Sequence, residues 1–404
     1  MLDTIKKNLI VKVDGYRTLI HVSVISTFVL LFGYLSLSEP SLNWDMVAYI
    51  ANALQYNTDN SIAQIQQMIF TELAESVSNE DFATFTNSPS REVLATDPEA
   101  FGQTIKFFYD ARVVYIGILA AFMRLGMDPI FASYFISTSC SILSILLLAK
   151  LVPVRVPLGL CFSLPFIVLA CGLLNVARYS SPDAMAALVT IGMYWLLVRN
   201  HLVVLLLLMP LTVFVRTDLI LLMPMFLTYL FLFKRISRIF IVFIGLATVA
   251  TYLTLNNIIV DGDPWSSLIG YNYGIKPTHP ADYVFTVTLS NYFSYIITGI
   301  KSFSYNPLFF MFCALTVTGL FLFASRFFFN PNQQPISRQH TDLTFLIISC
   351  ITYVGLHFLL FPVTWIRFFA AQYSLVTVVV LWATLAILAE RNYSDRTDVN
   401  LLDK

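Results

Sequence analysis

Charge is what this chain has least of. Only 12% of its 404 residues are Asp, Glu, Lys or Arg, against roughly a quarter in a soluble domain, which leaves too little polar side chain to cover a water-facing surface. The 24 basic residues are balanced by 24 acidic ones, so there is no electrostatic reason to expect a nucleic-acid partner. The 5 histidines are scattered, and no two share the i, i+4 spacing of a zinc-binding helix. The 5 cysteines (Cys140, Cys161, Cys171, Cys313 and Cys350) show no pair spacing; they read as small buried hydrophobes and say little about redox compartment. A Gly-x-Ser-x-Gly elbow, a phosphate-cradling glycine loop, an internal repeat and a low-complexity tail are all missing, which removes the usual soluble-enzyme readings.

What is present is apolar. Hydrophobic residues make up 57% of the chain, Phe alone numbers 35, and the mean hydropathy is +0.74. Backbone groups in hydrocarbon must bond internally, so spans are helices of about 20 residues. Apolar blocks at 19–38, 130–149, 156–174, 182–198, 202–215, 219–233, 239–256, 303–325, 342–361 and 369–389 predict an all-α, polytopic transmembrane protein of about ten spans. It forms a single transmembrane domain over 1–404, with large outer loops at 39–129 and 257–302. Lys6, Lys7, Lys12 and Arg17 precede the first run as in a signal sequence, but no small-residue cleavage site follows, so that run reads as a retained anchor.

Charge placement orients the spans. With the N-terminus cytoplasmic, the inner ends collect Lys6, Lys7, Lys12, Arg17, Lys150, Arg155, Arg199, Lys234, Arg235 and Arg238, and further basic residues toward a cytoplasmic C-terminus. Counting 112–127 as a span would reverse this pattern, so that segment is expected to lie on the outer membrane surface as an interfacial helix. The first outer loop holds an amphipathic helix from Ile62 to Val77, then Ser- and Pro-rich sequence through Ser88-Pro89 and Asp97-Pro98 that reads as loop. In the second, Tyr283 to Tyr295 reads as another interfacial helix, and Asp261 and Asp263 beside Pro264 read as a turn.

Several charged residues then fall at outer ends, against the usual bias. Asp45 follows the first span in Asn43-Trp44-Asp45, with Tyr49 a turn later. Asp110 and Arg112 lie in Tyr109-Asp110-Ala111-Arg112, Arg178 and Asp183 in Arg178-Tyr179-Ser180-Ser181-Pro182-Asp183, and Arg367 beside Trp365. Arg216 and Asp218 separate two short apolar stretches, where charge is costly unless paired or functional. Each has an ordinary alternative: a cap for Asp45 and for Asp110 with Arg112, a cap with a nearby Arg–Asp pair for Arg178, an interfacial anchor for Arg367. His357, inside a span, reads as a packed core histidine.

The order of these features, from the basic N-terminus and first span through Trp44-Asp45 to Arg216-Thr217-Asp218, resembles the layout of polytopic glycosyltransferases of the GT-C class, such as the aminoarabinose and mannosyl transferases. The likeness covers most of 15–235 and extends loosely to the rest. It implies a polyprenyl-phosphate-linked sugar donor, a glycan or lipid-linked acceptor, surrounding membrane lipids as partners, and an extracytoplasmic site in a bacterial plasma membrane. Asp45 takes the place of the acid that binds or activates the acceptor, with Asp110 a second catalytic candidate. Arg178, Arg216 and Arg367 take the place of the basic residues that hold the donor phosphate, with Tyr49, Arg112, Asp183 and Asp218 supporting. Some relatives use a second loop acid and a divalent metal such as Mg or Mn; here Asp97, Glu99 and Asp110 are all available and spacing does not choose among them.

The chemistry also follows without the resemblance. Transfer from a lipid-phosphate donor needs a carboxylate to take the acceptor proton and positive charge to stabilise the departing phosphate, and arginine presents a planar fork to phosphate oxygens. The rival readings are a transporter or flippase of lipid-linked saccharides, which usually carries charged, broken spans at the midplane and an inverted repeat, and an O-antigen-type polymerase or ligase working on the same lipid donors.

Overall fold

The computed structural model describes residues 2–151, 158–234, 236–258, 264–274, 277–280, 283, 286–329 and 338–385. Among them every regular element is a helix, joined by one isolated bridge between Ser41 and Tyr179. α1 (Leu2–Ser38) leads into six short helices: α2 (Trp44–Asn57), α3 (Ile62–Ser76), α4 (Asn79–Thr86), α5 (Pro89–Thr96), α6 (Pro98–Tyr109) and α7 (Val113–Arg124). The apolar bundle continues with α8 (Pro129–Leu151), α9 (Leu158–Ala170), α10 (Leu173–Arg178), α11 (Asp183–Val198) and α12 (Leu202–Thr212). A 3₁₀ turn at Thr217–Leu222 runs into α13 (Met223–Phe233), followed by α14 (Arg238–Ile258) and α15 (Pro264–Tyr273). The chain ends with α16 (Leu289–Ser304), α17 (Pro307–Phe329), α18 (Arg338–Leu360), a 3₁₀ turn at Ile366–Phe368 and α19 (Ala370–Leu385).

Four helices are long and apolar enough to cross a bilayer: Tyr16–Ser38, Pro129–Leu151, Arg238–Asn257 and Thr341–Leu360. Leu289–Ser304 and Pro307–Leu322 make a fifth if counted together across their 85° bend. The other expected spans, 156–174, 182–198, 202–215, 219–233, 303–325 and 369–389, fall on helices that are shorter over the described residues or, for 303–325, joined to a neighbour through that bend. α14 leaves Ile239, Val242, Phe243, Leu246, Val249 and Leu253 exposed, a helical-spacing stripe suited to lipid. The chain is therefore a helical, membrane-embedded protein. α7, with 12 residues, is about 18 Å long, too short for a hydrocarbon core of about 30 Å.

The stretch expected as loop through Ser88-Pro89 and Asp97-Pro98 is instead helical, over α4 to α6. Ser78, Ser88 and Asp97 each cap the following helix, and Pro89 and Pro98 sit in the first turn of theirs. Serine, aspartate and proline mark helix starts as well as loops, because a cap needs a short acceptor and the first turn needs no donor. The expected helix near Tyr283–Tyr295 begins at Leu289. Asp261 and Asp263 lie outside the described residues.

α2 is the unexpected core of the first outer segment. Asn43 accepts from the backbone N–H of Met46 at 3.0 Å and starts the helix. Every residue from Met46 to Leu54 is buried, a helix enclosed on all sides by α3, α6, α7 and α8. Small Ala48, Ala51 and Ala53 let those neighbours approach. The first turn of α2, which carries Asp45, is thereby fixed against the bundle.

Candidate active site

Ser-rich packing positions the first component of the site. α8 and α11 share the most extensive helix contact in the chain. Ser133 Oγ donates to Ser180 Oγ at 2.8 Å, and Ser137 Oγ to the Ser181 carbonyl at 3.1 Å. These bonds hold the corner between α10 and α11, where Ser181 Oγ donates to Asp183 Oδ2 at 2.9 Å. A second device positions Arg367. Gly172 has φ of 82°, and a Cβ there would lie 2.7 Å from Ile366 Cγ2. Only glycine satisfies both the left-handed backbone and the close approach to the turn that carries Arg367.

Four segments distant in sequence bring their charges together at this end of the bundle. Arg367 Nη1 donates to Asp45 Oδ2 at 2.7 Å, and its Nε lies 3.4 Å from Asp183 Oδ2. Asp183 Oδ1 accepts from Arg216 Nη1 at 2.7 Å. Arg216 then grips Asp218 with both prongs, Nε to Oδ1 at 2.9 Å and Nη2 to Oδ2 at 2.6 Å. Asp218 Oδ2 also accepts from Tyr353 Oη at 2.7 Å and lies 3.4 Å from His357 Nε2. The result is a chain of alternating sign, Asp45–Arg367–Asp183–Arg216–Asp218, closed by a tyrosine at one end and a tyrosine and histidine at the other. Tyr109 Oη donates to Asp45 Oδ1 at 3.0 Å, and the Tyr49 ring packs edge-on between Tyr109 and Tyr115.

Exposure says where a ligand can enter. Asp45 and Asp218 each keep 22% of their side-chain surface accessible and Arg367 keeps 18%, whereas Asp183 and Arg216 in the middle keep 5% and 6%. The centre is sealed and the ends are open. Aromatic faces support both cations: the Arg216 guanidinium lies 4.5 Å from the Phe368 ring centre, and that of Arg367 lies 4.6 Å from Trp365.

Of the residues singled out in the sequence, Asp45, Asp183, Arg216, Asp218 and Arg367 therefore meet, and Tyr49 stands beside them. Arg112 adjoins through its charge, which acts on the Tyr49 phenol. Arg178 stands apart from this chain of charges: it bonds Glu39 at 2.8 Å, and its side chain is 30% exposed. Asp110 also stands apart, on Asn52 and Lys106; burial pushes its carboxyl up to about 6, against the opposing pull of Lys106. Asp45 sits in the first turn of a helix that Asn43 caps, and Arg112 stands at the N-cap of α7 without a side-chain cap bond. The residues that the sequence did not mark for the site are Tyr353 and His357, which contact Asp218, and Gln372, which lines the space behind. Tyr353 and His357 stand one turn apart on α18, a spacing that would have marked a polar face on an apolar helix.

A divalent cation fits these residues poorly. Among the described residues no three His, Cys, Asp or Glu side chains converge in a group suited to a metal. Asp97 caps α6 and lies 3.3 Å from His279, and Asp110 faces Asn52. No protein-family model, curated protein or solved structure matches the chain.

Proposed function

We propose that this protein is a membrane glycosyltransferase that moves one sugar from a polyprenyl-phosphate-linked donor to an acceptor hydroxyl at the extracytoplasmic face of a bacterial plasma membrane. The observation that carries the reading is the bond between Asp45 and Arg367, 322 residues apart in sequence, at an accessible end of a buried chain of alternating charge. A carboxylate oxygen holds two lone pairs. With one used by Tyr109 or Arg367, each oxygen of Asp45 keeps one for an acceptor hydroxyl.

In this reading Asp45 takes the acceptor proton as the acceptor oxygen bonds to the anomeric carbon, and the bond from that carbon to the phosphate oxygen breaks. The polyprenyl phosphate leaves with the electron pair. Its negative charge is met by Arg367 and, behind it, Arg216, whose guanidinium planes are held by Asp183 and Asp218 before substrate arrives. Fixing both planes in advance spares their reorganisation during the reaction. Tyr109, packed against Tyr49, holds Asp45 in place, and the basic termini of the spans face the cytoplasm.

The test is turnover by the purified protein in lipid nanodiscs, with a panel of polyprenyl-phosphate sugars and sugar acceptors, with and without Mg or Mn. The expected result is release of polyprenyl phosphate coupled to glycosylation of an acceptor. Absence of transfer across the panel, with movement of lipid-linked saccharide across vesicle bilayers, would replace this reading with a flippase.

A further inference from the structure

Behind the chain of charges lies a small, partly open space of about 10 Å³, lined by Asp183, Thr190, Arg216, Tyr353, Arg367 and Gln372, with apolar neighbours. That volume holds about one water. Gln372, near the start of α19, is 1% exposed, and its Oε1 has no hydrogen-bond partner. An unpaired buried acceptor is costly, so a carboxamide at this position in an apolar helix calls for a partner. The surrounding side chains offer the complementary half: two guanidinium groups that donate and the Asp183 carboxylate that accepts.

We propose that this cavity seats a single hydroxyl of the transferred sugar, with one water holding the place until the donor binds. The inference rests on the glycosyl-transfer reading and deepens it by naming Gln372 as a specificity-determining residue. A hydroxyl is the group that fits, because it donates to Gln372 Oε1 while accepting from an Arg216 or Arg367 N–H. A phosphate oxygen would set its lone pairs against those of Gln372 and Asp183, and a methyl group would leave Gln372 Oε1 unpaired. The sugar ring itself remains outside, at the more exposed Asp45 and Arg367, and only one substituent reaches inward.

Gln372→Met keeps the length of the side chain and removes the acceptor. Turnover is measured for wild type and variant with polyprenyl-phosphate sugars, each compared with deoxy analogues that lack one hydroxyl at a time. For the sugar that wild type transfers best, kcat/KM is expected to fall about 10- to 100-fold in the variant, in line with the discrimination a hydrogen-bonded site provides. One deoxy analogue should be equally poor with both proteins, which a merely structural role for Gln372 would not produce. If the methionine variant does not fold, Gln372→Asn, which withdraws the amide by one methylene, serves in its place. Active wild type with an unchanged variant on every sugar overturns this proposal and leaves glycosyl transfer standing. Wild type inactive on the whole panel overturns both.

Discussion

At one end of the antiparallel pair formed by Thr217–Phe233 and α18, Asp342 receives Lys234 and Tyr229. At the other end, fifteen residues along α18 and so about 22 Å away, Asp218 receives Arg216, Tyr353 and His357. The first cluster is one acid and one base, almost fully buried, with the Lys234 ammonium 5.5 Å from the Tyr229 ring centre. The second belongs to a chain of three acids and two arginines drawn from four segments, open at both ends, with a cavity and an unpaired Gln372 behind it. A balanced, closed pair needs nothing more than its own partners, and it fits a latch between two helices. An extended, open network with unpaired polar atoms fits a site that awaits a ligand.

The comparison breaks most sharply at Arg216. Arg216→Met strands two carboxylates, one of them buried, and is expected to lower stability by about 3–5 kcal/mol, read as a large fall in Tm in nanodiscs. A similar Tm to wild type would mean that the chain of charges is not formed. At the latch, Lys234→Met combined with Asp342→Asn removes both charges while leaving an acceptor for Tyr229. Replacing a buried pair as a unit is often close to neutral, so stability should stay within about 1 kcal/mol and turnover should be retained; loss of turnover would erase the distinction between the two ends.

Asp110 should show up in the pH dependence. Its folded carboxyl is raised from 3.8 to about 6, so the fold favours the protonated form. Its contribution is greatest below about 4 and is lost as pH rises through about 6. Asp110→Asn should flatten the pH dependence of Tm across that window, and an unaltered slope would contradict the assignment. The smallest effect belongs to Arg178→Ala, whose exposed pair with Glu39 is worth about 0–1 kcal/mol; a loss of donor affinity on that substitution would return Arg178 to the site.

The sequence disclosed the charged members of the site because charge is rare here and costly near apolar segments. Asp45, Arg216, Asp218 and Arg367 each stood out for that reason, and Asp183 entered as a supporting residue with the stretch from Arg178 that carries the resemblance. It did not disclose which charges would meet. Arg178 precedes Asp183 by five residues yet bonds Glu39, because the α10–α11 corner turns Asp183 toward Arg216 and Arg367. His357 passed as core and Tyr353 was not singled out, since one histidine on an apolar helix has no pattern until its neighbour one turn away is read with it. The helices α4 to α6 were hidden by residues that signal loop and helix start alike. Apolar blocks located nearly every bundle helix, and among the described residues four helices, or five with the bent pair, are long and apolar enough to span.

The central claim is that the Asp45 end is a reaction site and not a brace. The direct test is Asp45→Asn, whose single amide oxygen still accepts from Arg367 while its NH2 group meets the Tyr109 hydroxyl as a donor, and which loses the basicity needed to take a proton. In nanodiscs, with the best lipid-linked donor and its acceptor, turnover should fall by at least about 100-fold while expression, membrane insertion and donor binding persist. Turnover equal to wild type in a folded Asp45→Asn protein would contradict the account.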